Sequence, residues 1–129
     1  IMGLYEKVGE FTPDSLFASP DYPVLKEGIG LKKGQGVLKR GSLIVKGSDK
    51  HAYLAGTTVS SVTLKVFGIL TDDVDTGSED KNENVPATCY ITGHFNRGAV
   101  IVKSETTIDT YEDDMKGVGM YLRNVQKYE

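Results

Sequence analysis

Val85-Pro-Ala-Thr-Cys-Tyr-Ile-Thr-Gly-His-Phe-Asn-Arg-Gly-Ala-Val-Ile-Val102 is the stretch around which the chain is organised. From Val85 to Phe95 apolar and polar positions alternate. Val85, Ala87, Cys89, Ile91 and Phe95 fall on one side, and Thr88, Tyr90, Thr92 and His94 fall on the other. Successive side chains leave opposite faces of an extended chain, so this period of two predicts one half-buried strand. Asn96-Arg97-Gly98 interrupts the run with turn-forming residues, and Ala99 to Val102 reads as the start of a second apolar strand. The polar set His94, Phe95, Asn96 and Arg97 is therefore either a site or a structural corner between two strands.

The surrounding chain predicts a single domain, since 129 residues bury enough surface to need no metal or disulfide staple. A formal net charge of −3 argues against a nucleic-acid surface, which requires a basic excess. Lys26, Lys32, Lys33, Lys39, Arg40 and Lys46 form a basic cluster, balanced by an acidic segment from Asp72 to Glu83. No apolar run is long enough to span a membrane and no signal-peptide pattern opens the chain, so a soluble protein made in a cytoplasm is expected. The single cysteine, Cys89, lies on the apolar side of the central strand and reads as a buried, inert thiol.

Residues 1–23 hold Pro13, Pro20 and Pro23, with Leu4, Tyr5, Phe11, Leu16, Phe17 and Tyr22 scattered without period. Proline removes a backbone donor and pushes its neighbour toward extended geometry. These residues read as an extended N-terminal arm, either laid across its own domain or ordered by a partner. Residues 24–129 read as a β-rich domain. Gly28, Gly30, Gly34, Gly36, Gly41 and Gly47 punctuate short extended pieces at Val24–Lys26, Val37–Lys39 and Ser42–Lys46. Gly34-Gln-Gly36 lacks the spacing of a phosphate cradle and predicts a tight turn. Gly47 to Lys50 predicts a hairpin turn into His51–Leu54, followed by a loop at Ala55–Thr58 and a strand through Val62, Leu64 and Val66. Asp73-x-Asp75-x-Gly77 lacks the ligand spacing of a calcium loop, which leaves the acidic segment as a solvated connection.

One short helix is expected near the C-terminus. Asp109 stands as its N-cap with Glu112 three residues on, the spacing of a capping box, and Gly117 as its left-handed terminator. Tyr111 and Met115 face inward, and Gly119 to Val125 resumes extended character with Met120 and Leu122 on one face. The fold class is thus mainly β with one short C-terminal helix.

Catalytic constellations are thin. On one strand, Cys89 and His94 lie on opposite faces and about 17 Å apart, which excludes a direct pair. The chain contains no C-x-x-C, H-E-x-x-H or G-x-S-x-G pattern. Arg97 suits a bidentate grip on a carboxylate, a structural or interfacial role. No enzyme, metal or cofactor is expected.

The order of several segments resembles the phage head decoration protein family, of which the lambda head decoration protein is the familiar example. The resemblance rests on Leu16 to Val24, Leu38 to Val45, Val66 to Leu70 with Asp73-Val-Asp75, Tyr90 to Ala99, and Gly119 to Leu122. It implies a β-clip-like compact domain with an extended N-terminal arm. It implies homotrimers at three-fold positions on the outside of an expanded phage head, cementing neighbouring major capsid protein subunits, with no contact to nucleic acid or membrane. The protein would then be a virion component made in the host cytoplasm. In that setting the arm pairs with a capsid strand, and Tyr5, Phe11, Leu16 and Phe17 fill pockets in the capsid. His94, Phe95, Asn96 and Arg97 become a corner, with Arg97 as its interfacial group. The alternative is a small barrel-sandwich carrier of the lipoyl or biotinyl kind, suggested by Val37 to Ile44 and by Lys50 at a predicted hairpin tip. A third class, a dUTPase-type enzyme, lacks its phosphate-binding motifs here.

Overall fold

The computed structural model describes residues 16–19, 24–77, 84–104 and 106–124. The chain is mainly β, as its patterning predicts, with ten short strands and one short helix among the described residues. The strands are β1 (Phe17–Ser19), β2 (Lys26–Leu31), β3 (Val37–Leu38), β4 (Leu43–Gly47), β5 (Ala52–Leu54), β6 (Leu64–Leu70), β7 (Val74–Asp75), β8 (Val85–Tyr90), β9 (Gly93–Asn96) and β10 (Met120–Arg123). The helix α1 spans Glu112–Gly117.

Five strands close into a barrel in the order β2-β5-β4-β6-β8. Antiparallel pairing joins β2 to β8 along six residue pairs, from Lys26↔Tyr90 to Leu31↔Val85. The parallel contact Leu31↔Ala52 joins β2 to β5 and completes the circuit. Paired residues share a face, and one face of these strands fills the barrel with Leu31, Ile44, Ala52, Leu70 and Cys89, all fully buried. A bulge on β6 accompanies the register shift between Ile44 and Val45, where Ile44 faces Gly68 and Val45 faces Val66. Gly68 allows a close approach there. A Cβ at this position would lie 2.6 Å from the Tyr90 carbonyl and 2.9 Å from the Cys89 Cβ.

The opposite face of the barrel wall is covered as well. The three-stranded sheet β1-β9-β10 and α1 pack on it, burying Leu43, Val45, Ile69 and Tyr90 against Leu16, Phe95, Met115, Met120 and Leu122. This two-sided burial explains why Leu43-Ile-Val45 is apolar without alternation. β3 and β7 pair separately as a short ribbon.

The structure revises several expectations. Val85 to Phe95 is not one strand. β8 ends at Tyr90, and after Ile91 and Thr92 the chain enters β9 in the other sheet. Gly93 makes the transfer at φ +147°, with the Phe95 ring 3.1 Å and the Phe17 ring 3.5 Å from where a Cβ would stand. Ala99 to Val102 is not a strand either: Arg97–Ala99 form a 3-10 turn, and only Ile101 pairs, with Ser42. Gly28 and Gly30 lie inside β2 rather than in turns, and a Cβ at Gly30 would meet the Asn84 side chain at 2.9 Å. The turns at Gly34 and Gly36 and the hairpin at Gly47–Lys50 form where expected.

The helix is shorter than predicted, and a 3-10 turn at Ile108–Tyr111 leads into it. Asp109 lies within that turn and caps nothing, and the left-handed glycine is Gly119 (φ +98°), not Gly117. The arm boundary also moves. Leu16 to Ser19 belong to the folded domain through β1, which pairs with β9, while Tyr5 and Phe11 lie outside the described residues.

Candidate functional site

The corner at the end of β9 is built around Arg97. Asn96 precedes the 3-10 turn and its side-chain oxygen accepts the Gly98 N–H at 3.0 Å, which fixes the bend. The guanidinium then reaches the helical segment. Nη1 donates to Glu112 Oε1 at 3.0 Å and Nη2 to Oε2 at 2.8 Å, the parallel fork that suits a carboxylate. Nη1 also donates to Asp109 Oδ1 at 2.6 Å, and Nε donates to Asn124 Oδ1 at 3.1 Å. The hydrogen bond from Arg97 holds the Glu112 carboxyl below its ordinary value of 4.5.

The two acids read from sequence as a helix cap are thus the acids that hold this arginine. The predicted bidentate grip is present, within the chain itself. Every guanidinium nitrogen is engaged, tying the turn after β9 to the Ile108–Tyr111 turn, to α1 and to the residue after β10. Arg97 works here as an internal clamp.

The other residues of the corner divide by face. Phe95 is fully buried, with its ring centroid 5.1 Å from that of Phe17 and 6.3 Å from that of Tyr90. His94 is half-buried on the opposite face of β9 and meets the Tyr121 ring edge-on at 5.3 Å. The corner brings no cysteine to His94. Cys89 is fully buried inside the barrel, and burial pushes its thiol up to about 12, so it carries no thiolate at neutral pH.

Of the residues expected to dock on a partner, Leu16 lies in this chain's own core and half-buried Phe17 packs against that core. Leu16 is 2% exposed, and its carbonyl accepts the Asn96 N–H at 2.7 Å. Phe17 packs edge-on against Tyr90 at 4.8 Å. Of the two readings of this segment, Leu16 to Ser19 follow the one in which the chain lies across its own domain.

Sequence reasoning missed the polar surroundings of Tyr90. Arg40 Nη1 donates to the Tyr90 hydroxyl and to the Thr71 carbonyl, both at 2.8 Å, and its guanidinium carbon lies 5.5 Å from the Tyr90 ring centroid. It also missed Asp49, which accepts the Tyr53 hydroxyl at 2.6 Å and the His51 N–H at 3.1 Å. Burial and that carboxylate push the Tyr53 phenol up to about 12. Only the i, i+4 spacing of Asp49 and Tyr53 hints at this pair. Lys50 stands exposed in the hairpin turn with φ +71°.

Comparison with protein-family models gives no match, and comparison with curated proteins gives none. Among the described residues, no group of three or more His, Cys, Asp or Glu side chains is placed to hold a metal ion, and no helix is long and apolar enough to cross a membrane. The site is an internally satisfied corner on one side of a barrel, next to the strand through which the N-terminal residues join the domain.

Proposed function

We propose that this chain is a capsid decoration protein of the β-clip kind, binding the outside of an expanded phage head as a homotrimer and cementing neighbouring major capsid protein subunits. One observation carries the reading. Residues 1–15 are tethered to the domain at Leu16, beside β1, an outer strand of the three-stranded sheet. A segment anchored there by Leu16 and Phe17 enters at the edge of the domain, and the residues ahead of it, Tyr5 and Phe11 among them, can offer a partner strand.

Anchoring at Leu16 shortens the docking arm to residues 1–15, with Tyr5 and Phe11 as its large apolar side chains. Ordering fifteen residues costs on the order of 15 kcal/mol in backbone entropy, so one arm binds modestly. Three arms on one trimer make later contacts intramolecular and raise avidity by roughly 10² to 10⁴-fold.

Co-sedimentation with expanded heads stripped of decoration protein tests the proposal. The full chain should pellet with the heads, and a chain lacking residues 1–15 should stay folded and remain in the supernatant. A full chain that does not bind overturns the decoration reading. A shortened chain that binds as well as the full one overturns the role of the arm alone. Light scattering over a range of concentrations tests the trimer.

A further inference from the structure

The β4–β6 pairing sets two lysines against each other. Lys46 stands directly opposite Lys65 in the antiparallel register, and both are exposed. Side chains so placed have Cβ atoms about 5 Å apart, where like charges repel and destabilise the pair. Neither lysine forms an ion pair among the described residues, whereas Lys39 pairs with Asp73 and Arg97 with Asp109 and Glu112. Asp49, the nearest acid along the hairpin that follows β4, is engaged with Tyr53 and His51, accepting the hydroxyl of one at 2.6 Å and the N–H of the other at 3.1 Å. The strands thus hold two ammonium groups side by side, in a repulsion that an anion between them would relieve.

The pair lies in a cleft of about 530 Å³ whose walls carry Lys46, Ser48, Thr63, Lys65, Val66 and Phe67. That volume suits a small ligand. β4 sends Ile44 into the barrel interior, so Lys46, two residues on, lies on the same face. Phe67 is half-buried and packs against that interior, while half-buried Val66 packs against the outer core. Two charges therefore stand beside apolar surface in one concavity. Its opposite walls are pinned together. The Ser48 N–H donates to the Thr63 carbonyl at 2.9 Å, and the Thr63 N–H donates to Ser48 Oγ at 3.2 Å.

We propose that this cleft binds an amphiphilic anion, with one carboxylate or sulfonate group held between Lys46 and Lys65 and an apolar body laid on Val66 and Phe67. The ammonium groups draw in the head, and removal of the body from water supplies the rest. The headgroup contact is screened as salt rises.

Fluorescence titration of the full chain with anilinonaphthalene sulfonate tests the site. Binding should be saturable. Naphthoate should displace the dye, and naphthylmethanol, the same body without the charge, should not do so at the same concentration. The K46A/K65A variant should lose roughly fivefold to twentyfold in affinity, the effect of about two exposed charge contacts. The K32A/K33A variant, with the same change in net charge, should lose less than twofold. In thermal melts K46A/K65A should be at least as stable as the parent, since it removes a repulsion, and Lys65→Glu should melt higher while binding the dye more weakly. Absence of saturable binding, equal losses in the two double variants, or equal displacement by naphthylmethanol and naphthoate overturns the proposal.

Discussion

The barrel interior and the core on the outer face of its wall are both tightly buried, yet they are assembled from different reaches of the chain. The interior draws on residues between Ile29 and Cys89, on strands that include the β4–β5 hairpin and close their circuit through the β2–β8 pairing. The outer core draws on Leu16 at one end of the described chain and on Met115, Met120 and Leu122 at the other. Both cores require long-range closure, the interior through β2 and β8 and the outer core through the two ends of the described chain. The barrel circuit closes within residues 26–90, and the outer layer depends in addition on both ends staying docked.

Truncation gives the largest expected effect. Removing residues 1–15 should leave the urea midpoint unchanged. Removing residues 1–22 also deletes Leu16 and Phe17 and should cost roughly 5 kcal/mol or more, the range for emptying two large apolar sites. Equal stability of the two shortened chains would show that the outer core does not need its N-terminal strand, and the contrast would collapse.

The barrel interior carries its own probe in Cys89. Its thiol is raised from 9.0 to about 12, so the folded state holds its proton more tightly than the unfolded state. That contribution is fully present below pH 9 and is lost as pH rises from there toward 12. Stability should fall by about 1.4 kcal/mol between about pH 8 and about pH 10 through this group. The loss should be absent in Cys89→Ala when both proteins are unfolded in urea at each pH. An identical slope in the variant would place the thiol in contact with water.

The smallest effect is expected at the Arg97 clamp, which ties the outer layer together near the surface. The Glu112 carboxyl is lowered below 4.5, so its contribution is present above that value and is lost as pH falls through the lower, folded-state value. Glu112→Gln should be slightly less stable than the parent at neutral pH and should converge with it in acid. Arg97→Lys keeps the charge but loses the planar fork, and it should behave like Glu112→Gln. Parallel acid melts for parent and variants would show that the fork contributes nothing to holding the layer.

Much of the barrel was legible in the sequence because its signals are local. Alternation at Val85, Ala87 and Cys89 marked a strand with an inward thiol, and Gly47 to Lys50 marked the hairpin between β4 and β5. The transfer of the chain from barrel to sheet at Ile91–Thr92 was hidden, because the apolar period continues through it to Phe95. Gly93 was the available signal, a glycine inside a strand pattern marking close backbone approach. Gly28 and Gly30 misled in the opposite direction, since glycine reads equally well as a turn or as a place where neighbours crowd. The capping-box spacing of Asp109 and Glu112 was real, but a guanidinium from residue 97 claimed both carboxylates. Such long-range pairing leaves no trace in local spacing.

β9 lies between β1 and β10, paired antiparallel to one and parallel to the other. This arrangement has a mechanical consequence. A pull on the residues ahead of Leu16 enters the domain through β1 and passes to β9, then on to β10 and, through the Arg97 clamp, to α1. It reaches the barrel by two routes, through the apolar contacts of the outer core and along the backbone, which runs from β1 into the barrel strand β2. Tension on the N-terminus therefore loads the β1–β9 pairing first, and once β1 lets go it passes along the backbone to β2 and pulls on the barrel circuit itself.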